Sequence, residues 1–133
     1  MRRNAEILGV IAAGGVVGAE ARYGLGLLIP DADVPWATLL VNATGCLLIG
    51  VLMVVLLELT APHRLLRPFL GIGVLGGFTT FSAYAAETFG LLDDGRTALA
   101  LAYLVATPIT ALAIAWVGTA LARNVISRRR GGH

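Results

Sequence analysis

The chain has 133 residues, of which 57% are hydrophobic and 14% are charged, and its net charge is +2. This balance is typical of a membrane protein and excludes a large soluble catalytic domain. Apolar stretches cover residues 7–29, 36–57, 68–92 and 97–122. Each reaches the roughly 20 residues that a helix needs to cross a hydrocarbon core of about 30 Å. We therefore predict an all-α membrane protein whose residues 1–133 form a single domain of four transmembrane helices.

The first stretch combines close-packing glycines with a charge. Gly14, Gly18, Arg22 and Gly26 recur at every fourth position and so share one helix face. The pair Gly14 and Gly18 predicts the close approach of another helix. Arg22 is costly in the membrane unless it snorkels to the interface, pairs or borders water. It is therefore either an interfacial anchor or a group that attracts anions.

The same stretch also resembles a cleavable signal peptide, since Arg2 and Arg3 precede an apolar run that reaches Ala19-Glu20-Ala21. The apolar residues continue beyond this point to residue 29, which favours a retained span over cleavage. We therefore expect residues 7–29 to remain as the first transmembrane helix.

Polar residues line one face of the second stretch. Thr38, Asn42 and Cys46 follow one another at a spacing of four residues. Asn42 stands in an apolar run, where its amide either joins two helices or donates to an anion that has lost its water. Cys46 is the only cysteine of the chain, so the sequence predicts neither a disulfide nor a metal site there.

The third stretch contains Gly-Gly-Phe-Thr-Thr-Phe-Ser at residues 76–82, which predicts a break of the helix in mid-membrane. Freed backbone groups cost several kcal/mol in hydrocarbon, so a break persists only where it lines a cavity or binds something. Thr79, Thr80 or Ser82 is expected to cap a second half-helix. The carbonyls of the first half then suit a small cation, and the amides of the second half suit an anion. The segment therefore indicates an ion path.

Aromatic and hydroxyl side chains accompany this segment. Phe81 and Tyr84 lie three residues apart, and the positive edges of their rings either pack or meet an anion. In the fourth stretch Tyr103 and Thr107 are four residues apart, and Pro108 follows and frees a backbone carbonyl. The fourth-stretch hydroxyls either continue an ion track or satisfy their own backbone.

The arginines are distributed unequally between the two ends of the predicted bundle. The side that holds both termini carries Arg2, Arg3, Arg64, Arg67, Arg123, Arg128, Arg129 and Arg130. The opposite side has Arg96 beside Asp31, Asp33, Asp93 and Asp94. The positive-inside rule then predicts cytoplasmic termini in the cell membrane. We interpret the basic tail as a topology anchor attracted to lipid headgroups rather than as a nucleic-acid site.

Three motifs, in order along the chain, resemble those of the Fluc (CrcB) family of fluoride channels. Residues 76–82 are similar to the family's signature. The segment from Gly15 to Ala19, with Arg22 and Tyr23, resembles its first-helix motif, and residues 36–45 around Asn42 resemble its second. The resemblance covers nearly the whole chain and agrees with its length and its four predicted spans.

The resemblance implies an antiparallel dimer whose broken third helices cross at the centre, around a structural sodium ion that is not transported. It assigns that ion to the backbone carbonyls of Gly76 and Thr79 of each subunit. It places two fluoride pathways on Asn42, Phe81, Tyr84, Tyr103, Thr107, Thr38 and Arg22. The implied function is a fluoride-selective channel, not an enzyme, that passively exports fluoride from the cytoplasm and relieves its toxicity.

Two features depart from the family pattern. Tyr84 stands where a phenylalanine is usual, and its hydroxyl adds a donor that is expected to hold fluoride longer. The arginine bias is stronger than in members that insert in both orientations as homodimers. We therefore expect this chain to prefer a heterodimer with an inverted homologue.

Two other classes of protein fit parts of the sequence. A small proton-coupled multidrug-type exporter has a similar size, but it needs a membrane carboxylate, for which Glu20 and Glu87 are the candidates within the spans. A non-transporting structural subunit would have intact packing helices, against which the predicted break argues. For an enzyme, the sequence offers no combination of nucleophile, base and orienting group.

Overall fold

The computed structural model describes residues 2–30, 32–56 and 63–130, without the side chains of Arg2, Arg3, Arg129 and Arg130. In chain order the helices are α1 (Arg2–Leu28), α2 (Trp36–Val54), a π-helical segment (Pro68–Val74), α3 (Leu75–Phe78), α4 (Ser82–Asp93) and α5 (Thr97–Arg130). The described residues form no strand. The predicted end of the second span at residue 57 lies outside them.

Four helical segments are long and apolar enough to cross a membrane, which confirms the prediction of an all-α protein with four spans. They are Asn4–Leu28, Trp36–Val54, Pro68–Asp93 and Thr97–Arg128. Their surfaces carry large apolar side chains, such as Leu112 at 74% exposure and Trp116 at 73%. Hydrocarbon is the solvent in which such surfaces are stable. The chain is therefore a multi-pass membrane protein.

The third span consists of pieces rather than one continuous helix. It begins as the π-helical segment and continues as the single turn α3. Thr79 then adopts an extended conformation, with φ −76° and ψ 154°, and helical structure resumes only at Ser82. The interruption falls within residues 76–82, where the sequence predicts a break.

Glycines allow α1 to lie directly against the backbone of the third span. A Cβ atom on Gly14 would stand 2.5 Å from the carbonyl oxygen of Phe69. A Cβ on Gly18 would overlap the carbonyl of Val74 and stand 2.7 Å from the amide of Phe78, the last residue before the interruption. The prediction that Gly14 and Gly18 form a close packing surface is confirmed. This surface packs α1 against the residues that precede the interruption.

The second helix pair, α2 with α5, also packs through glycines. Gly50 of α2 faces the carbonyl of Ala115, and Gly118 of α5 faces the carbonyl of Leu47, with no room for a Cβ atom at either glycine. The hydrophobic effect does not drive helices together within a membrane. Close approach of this kind instead stabilises the helix pair through van der Waals contact.

Connections at both ends of the bundle are fastened by ion pairs. Arg64 binds Glu6 at 2.6 Å, and Arg96 binds the carboxylate of Asp33 at 3.3 Å and its carbonyl at 3.2 Å. A turn at Asp94-Gly95 joins α4 to α5, with Gly95 at φ 73°. Exposed ion pairs contribute about 0–1 kcal/mol each, so the packing of the helices holds the fold together.

Candidate functional site

The interruption of the third span is held by Asn42 of α2. Its amide Nδ2 donates to the carbonyl of Thr80 at 2.8 Å, and its Oδ1 accepts from the amide of Thr80, also at 2.8 Å. The side chain therefore satisfies both backbone groups of one residue that lies outside a helix. Such pairing removes most of the cost of unpaired backbone groups in hydrocarbon.

Two carbonyls at the end of α3 lose the amide donors that a continuous helix would give them. The amide of Thr80, which would reach the Gly76 carbonyl, donates to Asn42 instead. The amide of Ala83, which would reach the Thr79 carbonyl, donates to the hydroxyl of Thr80 at 3.2 Å. The carbonyls of Gly76 and Thr79 are thus left with acceptor capacity. The N-cap of α4 is Phe81 rather than one of the three predicted residues, and the Thr80 hydroxyl bonds to the first turn from one position earlier.

The carbonyl of Gly77, which follows Gly76 in the chain, has a side-chain partner. Arg22 Nε of α1 donates to it at 3.2 Å. Arg22 also lines a cavity of about 230 Å³ between α1 and α2, together with Thr38 and Thr80. A guanidinium has five N–H donors, so one bond to Gly77 leaves others for this cavity.

A larger cavity of about 300 Å³ lies on the other side of the interruption. Its lining residues come from α2, the interruption and the helices that follow it: Asn42, Cys46, Ile49, Thr79, Thr80, Phe81, Tyr84, Thr107, Pro108 and Ala111. The structure therefore brings four of the predicted pathway residues, Asn42, Phe81, Tyr84 and Thr107, to one place. Thr80 lines both cavities.

Aromatic rings form a wall of the larger cavity. The rings of Phe81 and Tyr84 have centroids 5.5 Å apart and planes 60° apart, an edge-to-face arrangement. The ring of Tyr103, which does not line the cavity, lies behind Tyr84 with its centroid 5.4 Å away. Phe81 is 77% exposed, whereas Tyr84 is buried at 7%. Phe81 is thus free to meet an ion or a partner, while Tyr84 is fixed within the bundle.

The hydroxyls of Tyr84 and Thr107, which both line the cavity, differ in their hydrogen bonds. Tyr84 Oη donates to the carbonyl of Leu104 at 2.6 Å. Thr107 is 7% exposed, and its hydroxyl makes no hydrogen bond of ordinary geometry in the described part of the chain, although it interacts with the side chain of Tyr103. A buried hydroxyl without a good hydrogen bond is costly, so it marks a place where a ligand with acceptor character would be stabilised.

Glu87 of α4 organises the remaining predicted residues, although the sequence analysis considered it only as a carboxylate for proton coupling. Thr38 donates to its Oε1 at 2.6 Å, and Tyr103 donates to its Oε2 at 2.7 Å. Both donors are buried, at 8% and 3% exposure. The spacing of three residues from Tyr84 to Glu87 places both on one helix face and is the signal in the sequence that could have indicated this position.

Among the described residues no group of three or more His, Cys, Asp or Glu side chains could hold a metal ion. The carbonyls of Gly76 and Thr79 are the ones with acceptor capacity left by the interruption.

A four-span membrane protein with an interrupted helix between two cavities has the architecture of a membrane transport protein, because irregular backbone in a bilayer occurs where it lines a pathway. The comparison with known sequences makes this assignment specific. Residues 9–119 match the family described as CrcB-like protein, Camphor Resistance (CrcB), and the chain belongs to that family. The predicted family resemblance is confirmed.

Several curated relatives are named fluoride-specific ion channel FluC. The chain is 50% identical over 131 residues to fluoride-specific ion channel FluC 1 of Streptomyces coelicolor, covering 97% of this chain and 85% of that protein. It is 51% identical over 119 residues to FluC 2 of Nocardia farcinica, with 88% and 85% covered. It is 44% identical over 114 residues to the FluC protein of Thermus thermophilus, with 82% and 89% covered.

Proposed function

We propose that this chain forms a passive, fluoride-selective channel. Relatives named fluoride-specific ion channels match this chain over most of their length. Ion channels are not enzymes, which agrees with the expectation from the sequence. The observation that carries the proposal is the cavity beside the interruption, which Asn42, Phe81 and Thr107 line together. Family membership favours a channel over the proton-coupled exporter.

The cavity has the chemistry that a small anion requires. Fluoride is strongly hydrated, so a protein must replace its water with donors before it can pass. Thr107 offers a hydroxyl, and the second amide hydrogen of Asn42 remains after its bond to Thr80. The edge of the exposed Phe81 ring adds a weak positive field without a full charge. Weak, multiple contacts favour passage over retention.

Glu87 regulates access to the other two donors. Its carboxylate accepts from Thr38 and Tyr103, so fluoride reaches those hydroxyls by exchanging with the carboxylate. Thr38 also lines the cavity that contains Arg22, which makes this cavity the electropositive entrance to the path.

The carbonyls of Gly76 and Thr79 fit a structural sodium ion. Both lack their helical donors, and Gly76 is exposed with open space beside it. A bound sodium ion supplies a fixed positive charge that favours an anion nearby. The chain itself keeps these oxygens available, through Asn42 and Thr80, and keeps the Gly77 carbonyl away from the site, through Arg22.

Two carbonyls are fewer oxygens than an ion bound without water requires, so the sodium site needs a second chain. We therefore propose a dimer in which two interruptions face each other. The arginine bias of the sequence favours a heterodimer with an inverted homologue, with the termini of this chain in the cytoplasm. Accessibility of tags on the termini tests this orientation, and equal populations of both orientations would contradict it.

A channel of this kind drives export without a coupled energy source. With the cytoplasm negative, the membrane potential moves an anion outward with about 2.3 kcal/mol per charge per 100 mV. Hydrogen fluoride enters as a neutral molecule and ionises inside, so an anion pathway returns it to the outside.

Efflux from liposomes tests the proposal. The chain is reconstituted in sodium-containing buffer, alone and with an inverted homologue, and the release of fluoride and chloride is recorded with electrodes. We expect fast fluoride loss and no chloride loss in at least one of the two preparations. Absence of fluoride loss from both, with protein that elutes as a single species, would overturn the channel proposal.

A further inference from the structure

An apolar groove of about 310 Å³ lies between α2 and the first part of the third span. It shares no lining residue with either cavity described above. All of its lining side chains are aliphatic, among them Leu48, Leu52 and Val55 of α2 and Leu70 and Val74 of the third span. These side chains offer van der Waals contact and no hydrogen bond. The groove therefore has the chemistry of a site for a hydrocarbon chain.

The groove and the larger cavity lie on opposite sides of α2. Asn42 and Cys46 line the cavity, whereas Val51 and Val55 line the groove. At about 100° per residue, the first pair and the second pair are half a turn apart around the helix. Gly50, which contacts α5, lies between them on a third side. A second chain that faces the interruption approaches α2 from the side of Asn42, so the groove stays open to the bilayer.

The groove ends at the arginine-rich end of the bundle. Because α2 ends there and the third span begins there, Val55 and Leu70 are the lining residues nearest to that end. Arg67 directly precedes the π-helical segment and lies within about 5 Å of Leu70 along the helix axis. Its side chain is exposed and makes no hydrogen bond or ion pair within the described part of the chain. An available guanidinium thus stands at the end of the aliphatic groove.

The charges around Arg67 favour an anion. Among the described side chains at this end there is one acid, Glu6, and it pairs with Arg64 at 2.6 Å. The arginines described at the same end are Arg64, Arg67, Arg123 and Arg128. A guanidinium binds a phosphate through two parallel N–H donors, and basic residues beside a span attract anionic headgroups. An aliphatic groove that ends at such a group fits a molecule with a hydrocarbon chain and an anionic phosphate.

We propose that the groove binds an acyl chain of an anionic phospholipid and that Arg67 binds its phosphate. A long arginine side chain lies along apolar surface while its charged head stays at the headgroup level, which suits this position. The lipid fills the space between α2 and the segment that leads to the interruption. The site is independent of the proposed channel function, because neither Arg67 nor the residues of the groove line the two cavities.

Retention of lipid in native mass spectrometry tests the role of Arg67. The purified chain in detergent is mixed with equal amounts of phosphatidylglycerol and phosphatidylcholine that have the same acyl chains. Phosphatidylcholine carries the same phosphate beside a choline cation, which repels a guanidinium. We expect about tenfold higher retention of phosphatidylglycerol, the effect of one charged hydrogen-bonded pair. Arg67→Gln should lose this preference, and Arg128→Gln, which removes an exposed arginine at the same end, should keep it.

A substitution that fills the groove tests the position of the acyl chain. Leu48→Trp places an indole at a groove position that is 47% exposed, and Leu121→Trp places one on α5 at a position that is 55% exposed. We expect retention of phosphatidylglycerol to fall about tenfold in Leu48→Trp and to stay unchanged in Leu121→Trp. Phosphatidylglycerol should also raise the thermal unfolding midpoint of the wild type and of Leu121→Trp, but not of Leu48→Trp or Arg67→Gln, because a ligand stabilises only the folded form that binds it.

Each of four results would overturn the proposal. Equal retention of the two lipids by the wild type would show that the headgroup is not recognised. Equal losses in Arg67→Gln and Arg128→Gln would show a diffuse attraction to the basic end. Unchanged retention of phosphatidylglycerol in Leu48→Trp would place the acyl chain elsewhere. A dimer that dissociates in Leu48→Trp but not in Leu121→Trp would show that a second copy of the chain covers the groove.

Discussion

At the scale of single residues, Asn42 has the most demanding task in this chain. Its two amide ends bind the carbonyl and the amide of Thr80, each at 2.8 Å. One side chain thereby replaces two backbone hydrogen bonds that the interruption removes. The sequence is compatible with an Asn42 that either joins helices or donates to an anion, and in the structure its side chain joins α2 to the interruption.

Asn42→Asp is expected to disrupt this contact while keeping its shape. The carboxylate still accepts from the Thr80 amide, but it cannot donate to the Thr80 carbonyl, and its charge repels an anion. We predict a loss of about 1–3 kcal/mol in the free energy of unfolding and more than tenfold lower fluoride efflux. Thermal unfolding in detergent and liposome efflux measure the two effects, and wild-type behaviour in both would show that the contact is dispensable.

Glu87 is the functional residue that the sequence described least well. Its role depends on two hydroxyls from α2 and α5, which lie 49 and 16 residues away along the chain. Helical spacing alone places Glu87 on the face of Tyr84, but only the packing of three helices brings Thr38 and Tyr103 to its oxygens. No local pattern in a single sequence predicts these contacts between residues that are distant along the chain.

Glu87→Ala should destabilise the protein because it leaves two buried donors unpaired. Thr38 and Tyr103 are 8% and 3% exposed, and each unsatisfied buried group costs about 1–3 kcal/mol. Glu87→Gln retains a carbonyl acceptor and should lose less. Glu20→Gln changes a carboxylate on an exposed face of α1 and is the matched control. Unfolding midpoints that do not differ between Glu87→Ala and this control would refute the contact.

At the scale of helices, the third span shows what sequence predicts well and what it does not. Glycines and hydroxyls at residues 76–82 predicted the interruption, because those residues break helices wherever they concentrate. The π-helical segment Pro68–Val74 was not predicted. Gly73 of this segment lies against the Ile11 carbonyl of α1, and such packing between helices is not a local property of the sequence.

The glycine contact between α1 and the third span should be intolerant of a single methyl group. Gly18→Ala would place a Cβ into the carbonyl of Val74, and we predict a loss of about 1–3 kcal/mol from overpacking. Gly24 on the same helix has open space around it, so Gly24→Ala should be neutral or stabilising by up to about 1 kcal/mol. Thermal unfolding of both variants decides the matter, and equal midpoints would contradict the packing described here.

At the scale of the whole molecule, the proposed sodium site and the dimer are one hypothesis. Replacement of sodium by a large organic cation should lower the unfolding midpoint of the dimer, because an ion that binds only the folded form stabilises it. At 100 times its dissociation constant that stabilisation is about 2.7 kcal/mol. An unfolding midpoint that does not depend on sodium, in protein shown to be dimeric, would contradict the proposed structural sodium ion.

The central claim is that fluoride passes through the cavity beside the interruption, and the chain contains a natural probe of that cavity. Cys46 is the only cysteine and lines the cavity. A small methanethiosulfonate reagent forms a mixed disulfide with this thiol, releases sulfinate and leaves a new group in the path. Cys46→Ser cannot react and serves as the control, with each protein compared with its own untreated efflux.

Fluoride efflux before and after this reaction is the measurement that tests the claim most directly. We predict that efflux stops in the chain with Cys46 and continues unchanged in Cys46→Ser. Mass spectrometry establishes that the thiol has reacted. Undiminished fluoride efflux from protein that is fully modified at Cys46 would contradict the pathway described here.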